Sequence, residues 1–140
     1  MNIRNLLSLL PLVPLILLVS CFDPGPGRGS QVTEKGKIGM SCMDLTNPFF
    51  KLIANVMEDE ALKYGYSLVA LDGANDGAAQ NSQLADFVAQ GYDAIFLNPA
   101  DSKAAAEGVR KAHAAGIPVF TFDIQIDDST VGEMVTSHIG

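Results

Sequence analysis

Basic residues are scarce in this chain of 140 residues, which has 9 Lys and Arg against 16 Asp and Glu. The formal net charge is −7, and the few cations form no cluster. A nucleic-acid-binding face needs such a cluster because it has to neutralise phosphates. A polybasic membrane patch requires the same clustering. The composition therefore argues against nucleic acid as a partner and against a membrane contact made by charge.

Cysteine and histidine are also rare, with two residues of each. Cys42 lies in an apolar run, which favours a small buried hydrophobe over a reactive or metal-binding thiol. The two histidines, His113 and His138, are far apart and match no zinc-ligand spacing. We therefore expect neither a metal site nor a cofactor.

The first 20 residues predict a secretory signal peptide. Arg4 precedes an apolar run that ends with a small residue, Ser20, directly before Cys21. The segment LVSC looks like a bacterial lipobox, whose cysteine is acylated (typically with palmitate) and becomes the mature N-terminus. The alternative is a retained transmembrane helix, which needs about 20 apolar residues, whereas this run is shorter and contains two prolines. We therefore predict an extracytoplasmic protein anchored to a membrane by lipid at Cys21.

Residues 21–36 are rich in Gly and Pro and predict a flexible linker. From Lys37 to the end, short apolar runs alternate with stretches of helical spacing, which predicts one α/β domain over residues 37–140. Short connections favour right-handed crossovers, so we expect an open parallel sheet with helices on both faces. The predicted strands are 38–43, 66–71, 94–97, 117–122 and 131–139, and the predicted helices are 48–64, 78–90 and one from Asp101 or Ser102 to Gly116. In the first helix, the predicted buried face is Phe49, Leu52, Ile53, Val56, Met57 and Ala61.

Ligands of such sheets bind beyond the carboxyl ends of the strands. The loops predicted there are rich in hydrogen-bonding side chains and contain no basic residue. This composition disfavours a phosphate site, which uses a glycine-rich loop or a lysine. The four loops are residues 43–47, 72–76, 98–101 and 123–127.

Several segments resemble, in order, the N-terminal lobe of ribose-type periplasmic binding proteins. The resemblance covers about residues 37–140. It implies one of two α/β lobes that close on a sugar and deliver it to the permease of an ATP-driven (ABC) transporter. The segments are TNPFF (46–50), GYSLV (65–69), GYDAIFLNPAD (91–101) and AAGIPVFTFD (114–123).

The resemblance also implies ligand-binding residues. Asn47 matches an amide that hydrogen-bonds sugar hydroxyls, although an Asn there also serves as a plain helix N-cap. Phe49 and Phe50 match aromatics that pack on the sugar ring; they point about 100° apart on a helix, so one of them is free to lie in the core. Asp123 matches a carboxylate that accepts from hydroxyls, and its alternative role is to cap a turn. Asn98, which precedes a proline, is predicted to end a strand, with ligand contact as the alternative.

Two positions depart from the ribose-binding pattern. Ile124 stands where those proteins have an arginine, and Met43 stands where they have a small hydroxyl residue. Both changes make that side of the expected pocket less polar, because an aliphatic chain cannot replace a guanidinium fork. The resemblance therefore implies a deoxy sugar, another pentose or hexose, or a polyol rather than ribose. The chain also ends where family members enter the second lobe, so we expect one lobe that binds sugar weakly by itself.

Two other functional classes remain open. The same fold serves ligand-sensing domains of receptors and kinase systems, and the reading frame beyond Gly140 would discriminate that role from transport. An enzyme would need a nucleophile with a base, or converging carboxylates. The sequence has no Gly-x-Ser-x-Gly motif, and neither histidine falls in the four loops, so we predict that the protein is not an enzyme.

Overall fold

The computed structural model describes residues 34–140, which form a five-stranded sheet with helices packed on it. The predicted signal peptide, Cys21 and most of the predicted linker lie outside the described residues. The strands are β1 (Gly36–Cys42), β2 (Tyr66–Asp72), β3 (Ala94–Leu97), β4 (Val119–Phe122) and β5 (Ser137–Ile139). The helices are α1 (Pro48–Lys63), α2 (Gly77–Ala89), α3 (Ala106–Ala114) and the single turn α4 (Ser129–Gly132).

All neighbouring strands are parallel, in the order β2-β1-β3-β4-β5. This arrangement confirms the predicted open parallel sheet with five strands and three helices longer than one turn. The chain runs from β1 through α1 to β2 on one side, and then crosses through α2 to β3 on the other side of β1. The strand order therefore changes direction between β1 and β3.

The two faces of the sheet carry separate hydrophobic clusters, so helices cover both faces as predicted. On one face, α2 and α3 pack on β3 and β4 through Leu84, Phe87, Ile95, Val109 and Val119, all of them almost fully buried. On the other face, α1 packs on β1 and β2. That second cluster contains Met40, Cys42, Phe50, Ala54, Ala61, Leu68 and Phe122. Within residues 34–140, no helix has the length and apolar character to cross a bilayer.

The predicted face of α1 is partly wrong. Its buried residues are Phe50, Ala54 and Ala61, whereas Leu52 and Val56 are 61% and 57% exposed. Apolar residues occupy more than one stripe of this helix, so their spacing alone did not decide which stripe faces the sheet. The small alanines allow the helix to approach β2 closely.

The fifth strand is also shorter than predicted. Residues 131–139 were expected to be extended, but only Ser137–Ile139 pairs with β4. Val131 belongs to α4 instead, because the carbonyl oxygen of Asp128 accepts hydrogen bonds from the N–H groups of Val131 (3.0 Å) and Gly132 (2.8 Å). Val131 is fully buried in the cluster on the α2 and α3 face, so its apolar character reflects helix packing and not a strand.

The third helix begins later than predicted, at Ala106. Asp101 does act as a cap: its Oδ1 accepts from the N–H groups of Lys103 (2.8 Å) and Ala104 (2.9 Å). The segment that it caps is a separate turn before the helix, and the residue preceding α3, Ala105, provides no side-chain cap. The prediction that Asp101 acts as a cap is therefore confirmed, but it caps this turn and not α3.

Candidate ligand-binding site

The carboxyl ends of β1 and β3 form the crevice in which ligands of open parallel sheets bind, since the strand order changes direction there. The loop after β1 forms one wall of this crevice, and the residues after β3 and β4 form the other. The site is therefore assembled from three connections that are distant in sequence and adjacent in space.

Internal hydrogen bonds give the loop after β1 a defined shape. Asp44 Oδ1 accepts from the N–H (2.8 Å) and the hydroxyl (2.6 Å) of Thr46. Both hydrogen bonds lower the pKa of Asp44, and the bond from the Thr46 hydroxyl has the larger effect. Leu45 N–H donates to Asp72 Oδ1 at the end of β2 (3.2 Å), so the loop is also attached to the neighbouring strand.

Asn47 ends this loop and begins α1. Its Oδ1 accepts from the N–H of Phe49 at 3.0 Å, which is the N-cap geometry predicted from sequence, and Pro48 occupies the first turn. The two phenylalanines that follow point in different directions. Phe50 is 8% exposed and belongs to the core, whereas Phe49 is 60% exposed. Their rings meet edge to face, with centroids 5.3 Å apart.

A cavity of about 530 Å³ opens between α1 and the ends of β3, β4 and β5. Its wall is almost entirely apolar, and Asp123 is the one ionisable side chain among its lining residues. Phe49 and Asp123 both line it, so the structure brings together two of the residues predicted from sequence. The lining residues are Phe49, Ile53, Met57, Phe96, Phe122, Asp123, Ile139 and Gly140.

Asp123 follows β4 directly and has a left-handed backbone conformation, with φ of 65°. Non-glycine residues rarely adopt this region, although Asp tolerates it better than most, and such residues concentrate at functional sites. Two backbone hydrogen bonds hold the turn: Asp123 N–H donates to the Ile139 carbonyl (3.0 Å), and Ile124 N–H donates to the Phe122 carbonyl (2.7 Å). The conformation leaves the Asp123 side chain exposed at the crevice.

Asn47, Phe50, Met43 and Ile124, the other predicted site residues, are not among the residues that line this cavity. Met43 and Ile124 are half-buried. Met43 packs against the cluster on the α1 face, and its N–H donates to Asn98 Oδ1 at 3.3 Å. Both residues border the crevice at the ends of β1 and β4, where the departures from the ribose-binding pattern were placed.

Sequence reasoning named Asn98 only as the end of a strand or a ligand contact, and missed the supporting role of the carboxamides behind the crevice. Gln80 and Asn98 are fully buried, and Gln83 is half-buried. Gln83 accepts from the Ser41 hydroxyl (2.7 Å) and donates to the Asp72 carbonyl (2.7 Å). The signal available was the presence of polar residues on the inward face of α2, which hydrophobic periodicity does not register.

Cys42 is fully buried at the end of β1, where it was expected to act as a small hydrophobe. Burial raises the pKa of its thiol, so the reactive thiolate form is disfavoured. In the part of the chain that the structure describes, no three His, Cys, Asp or Glu side chains come together in a way that could hold a metal ion.

Comparison with known proteins agrees with this architecture. A family model for a periplasmic binding protein domain matches residues 38–139. The chain therefore belongs to the periplasmic binding protein domain family, and the resemblance seen in its sequence motifs is confirmed.

Individual relatives bind small polyhydroxylated ligands. The ribose import binding proteins of Bacillus subtilis and Escherichia coli are each 39% identical to this chain, over 71% and 75% of its length. A crystal structure of a Caulobacter myo-inositol binding protein, with myo-inositol bound, is 31% identical over 75% of this chain, with a TM-score of 0.68. The matches cover 33% and 34% of the two ribose import proteins and 34% of the myo-inositol binding protein, so the chain spans about a third of the length of these relatives.

Proposed function

We propose that this chain forms one lobe of an extracytoplasmic binding protein that captures a neutral sugar or polyol for an ABC importer. Binding proceeds by closure of two lobes around the ligand, and the proposal assigns no covalent chemistry to the protein. Closure is a population shift driven by the higher affinity of the closed state for the ligand. The myo-inositol and ribose ligands of the relatives support this ligand class.

The observation that carries the proposal is the shared position of Phe49 and Asp123 on one cavity wall. A sugar presents C–H faces and edges of hydroxyl groups, so it needs a flat apolar surface beside a hydrogen-bond acceptor. Phe49 offers an exposed ring, and Asp123 offers an exposed carboxylate. Asn47 stands at the start of the same helix with its Oδ1 engaged in the cap, which leaves its amino group as a donor to ligand hydroxyls.

The charge of the crevice favours a ligand without an anionic group. The four loops at the carboxyl ends of the strands contain Asp residues and no Lys or Arg, so a sugar phosphate or sugar acid would be repelled rather than bound. Ile124 and Met43 border the crevice without lining the cavity, and neither supplies a polar side chain on that side, which favours a ligand with fewer hydroxyl groups there.

The proposed setting is the outer surface of a membrane. In this proposal, residues 1–20 are a lipoprotein signal peptide, Cys21 carries the lipid, and the residues between Cys21 and β1 tether the lobe. Mass spectrometry of the membrane-extracted protein tests this part separately, because acylation of Cys21 adds a defined mass that Cys21→Ala removes. An unmodified Cys21 in an intact N-terminus would overturn the anchor and leave the ligand proposal unaffected.

Ligand binding is tested by thermal unfolding of the whole gene product with pentoses, hexoses, deoxy sugars and polyols, and with a sugar acid as the anionic comparison. A ligand at about 100 times its dissociation constant adds roughly 2.7 kcal/mol of stability. We expect a shift with one neutral class and none with the acid. A well-folded protein that responds to no neutral sugar or polyol would overturn the proposal.

Two matched pairs of variants locate the site. Phe49→Ala should weaken binding about tenfold, in line with the energies of aromatic contacts, whereas Leu52→Ala, equally exposed on α1 but outside the cavity, should leave affinity unchanged. Asp123→Asn should weaken it about 10- to 100-fold, since hydrogen bonds to a charged acceptor are the stronger kind. Asp127→Asn, which removes another exposed carboxylate of the same loop, is its control. Equal effects of the two variants within either pair would show that the ligand does not bind in this cavity.

A further inference from the structure

Asn98 is a fully buried polar side chain at the centre of the crevice floor. Its Oδ1 accepts from the N–H of Met43 (3.3 Å) and from the Cys42 thiol (3.7 Å). Its Nδ2 donates to the Phe122 carbonyl (3.2 Å) and to Asp123 Oδ2 (3.0 Å). All four hydrogen-bonding positions of the carboxamide are therefore occupied by protein groups, which excludes the direct ligand contact considered from the sequence.

The backbone of Asn98 is held as firmly as its side chain. Its N–H donates to the Ser41 carbonyl (2.9 Å), and its carbonyl accepts from Gln80 Nε2 (2.8 Å). Gln80 Oε1 then accepts from the N–H of Ala100 (2.7 Å), which closes a ring around the turn after β3. Because both carboxamides are buried, water cannot easily replace these bonds, and Asn98 has one available orientation.

Asp123 depends on this fixed donor. The hydrogen bond from Asn98 is the one side-chain hydrogen bond that the described part of the chain provides to its carboxylate. Asp123 is otherwise exposed and has an uncommon backbone conformation. With Oδ2 held by Asn98 and the side chain exposed, Oδ1 can accept from a ligand. The same carboxamide also holds Met43 N–H, so it sets the distance between the loops after β1 and β4.

We infer that Asn98 is the positioning residue of the binding site: it fixes the Asp123 carboxylate and the loop after β1 in the geometry that receives the ligand, without touching the ligand. This inference rests on the proposed function, since it assigns a support to the same site. A buried, uncharged carboxamide suits the role because it offers donor and acceptor groups together and does not itself ionise.

The test is a double-mutant cycle on ligand affinity in the whole gene product, using the sugar or polyol identified by the thermal screen. Asn98→Ser, Asp123→Ala and the double variant are compared with the wild type by calorimetry. We expect Asn98→Ser alone to weaken binding about tenfold, within the range of coupling between contacting residues. In the Asp123→Ala background its effect on affinity should be clearly smaller, because only its support of the loop after β1 through Met43 N–H remains.

Gln83→Ala is the matched control, since it removes another carboxamide of the crevice floor whose partners are Ser41 and Asp72. Its effect should be the same with and without Asp123. If Asn98→Ser weakens binding equally in both backgrounds, its role is general support of the fold and the inference fails. If the wild type binds no ligand of the class, the proposed function fails instead, so the two failures are distinguishable.

A second variant covers the case in which Asn98→Ser does not fold. Asn98→Asp keeps an acceptor for Met43 N–H and replaces the donor that faces Asp123 by a second carboxylate. Alone it should unfold at a lower temperature than the wild type. Combined with Asp123→Asn, which exchanges donor and acceptor across the same 3.0 Å contact, it should recover part of the lost stability, since the donor to the Phe122 carbonyl is still missing. A pair that is no more stable than Asn98→Asp alone would overturn the coupling.

Discussion

Gln80 allows the strength of the crevice floor to be measured without a ligand. Its side chain is fully buried and makes two hydrogen bonds, to the Asn98 carbonyl and from the Ala100 N–H. Gln80→Met keeps the length and nearly the volume of the side chain and removes both bonds. An unsatisfied buried backbone group costs about 1–3 kcal/mol. Ala100 is half-buried and recovers some solvation, so we expect a total loss of about 2–4 kcal/mol.

Urea unfolding of the 140-residue chain, followed by circular dichroism, measures this loss. With a denaturant slope of about 2 kcal/mol per molar, the middle of the range for small domains, the midpoint should fall by roughly 1–2 M with the slope unchanged. Gln90→Met is the control, because Gln90 is exposed at the end of α2, and it should stay within about 0.5 kcal/mol of the wild type. Equal midpoints for the two variants would refute the claim that buried carboxamide bonds hold the turn after β3.

Two further predictions concern packing and pH. A Cβ on Gly39 would lie 2.7 Å from ring atoms of Phe87, so Gly39→Ala should destabilise the fold by about 1–3 kcal/mol through overpacking; an unchanged thermal midpoint would contradict this. The N–H groups of Ala104 and Lys103 lower the pKa of Asp101 below its ordinary 3.8. The stabilising contribution of the Asp101 carboxylate is therefore complete above about pH 4 and is lost as the pH falls through the lower pKa of the folded state. The urea midpoint of Asp101→Asn should therefore fall less at acid pH than that of the wild type. The same acid dependence in both proteins would contradict this role of Asp101.

The order of elements was predictable because each element carries its own signal. Asn47 and Pro48 predict the start of α1, and the apolar runs from Ile38 and from Ala94 predict strands of nearly the observed length. The prediction failed where the same residue type occurs in two kinds of local structure. Val131 was predicted to be in a strand, but it is a buried residue of α4. Asp101 was predicted to cap α3, but it caps the turn before that helix.

Of the candidate site, the sequence predicted the residues that line the cavity better than the buried residues that support them. Phe49 and Asp123 were named from motifs, and the structure brings them to one cavity. Asn98, Gln80 and Gln83 were not assigned a supporting role, because that role exists only when residues 11 to 56 positions apart meet in space. Sequence patterns indicate which face of a helix or strand is apolar. A carboxamide on that face interrupts the pattern, and the sequence does not show which residue it will hydrogen-bond.

The chemistry of this inner layer explains how an acidic crevice keeps its shape. Charged groups at the strand ends repel one another, and the loops contain no basic residue to offset them. The one ion pair that the described residues give these loops joins Asp127 to Lys103 at 3.8 Å, and both side chains are exposed, so ion pairs contribute little there. A framework of carboxylates would loosen as protons bind. Carboxamides avoid both problems, since they donate and accept without ionising. Within residues 34–140, Asn98 provides the one side-chain hydrogen bond to the Asp123 carboxylate. The other oxygen can then accept from a hydroxyl group with the orientation of the carboxylate already set before the ligand arrives.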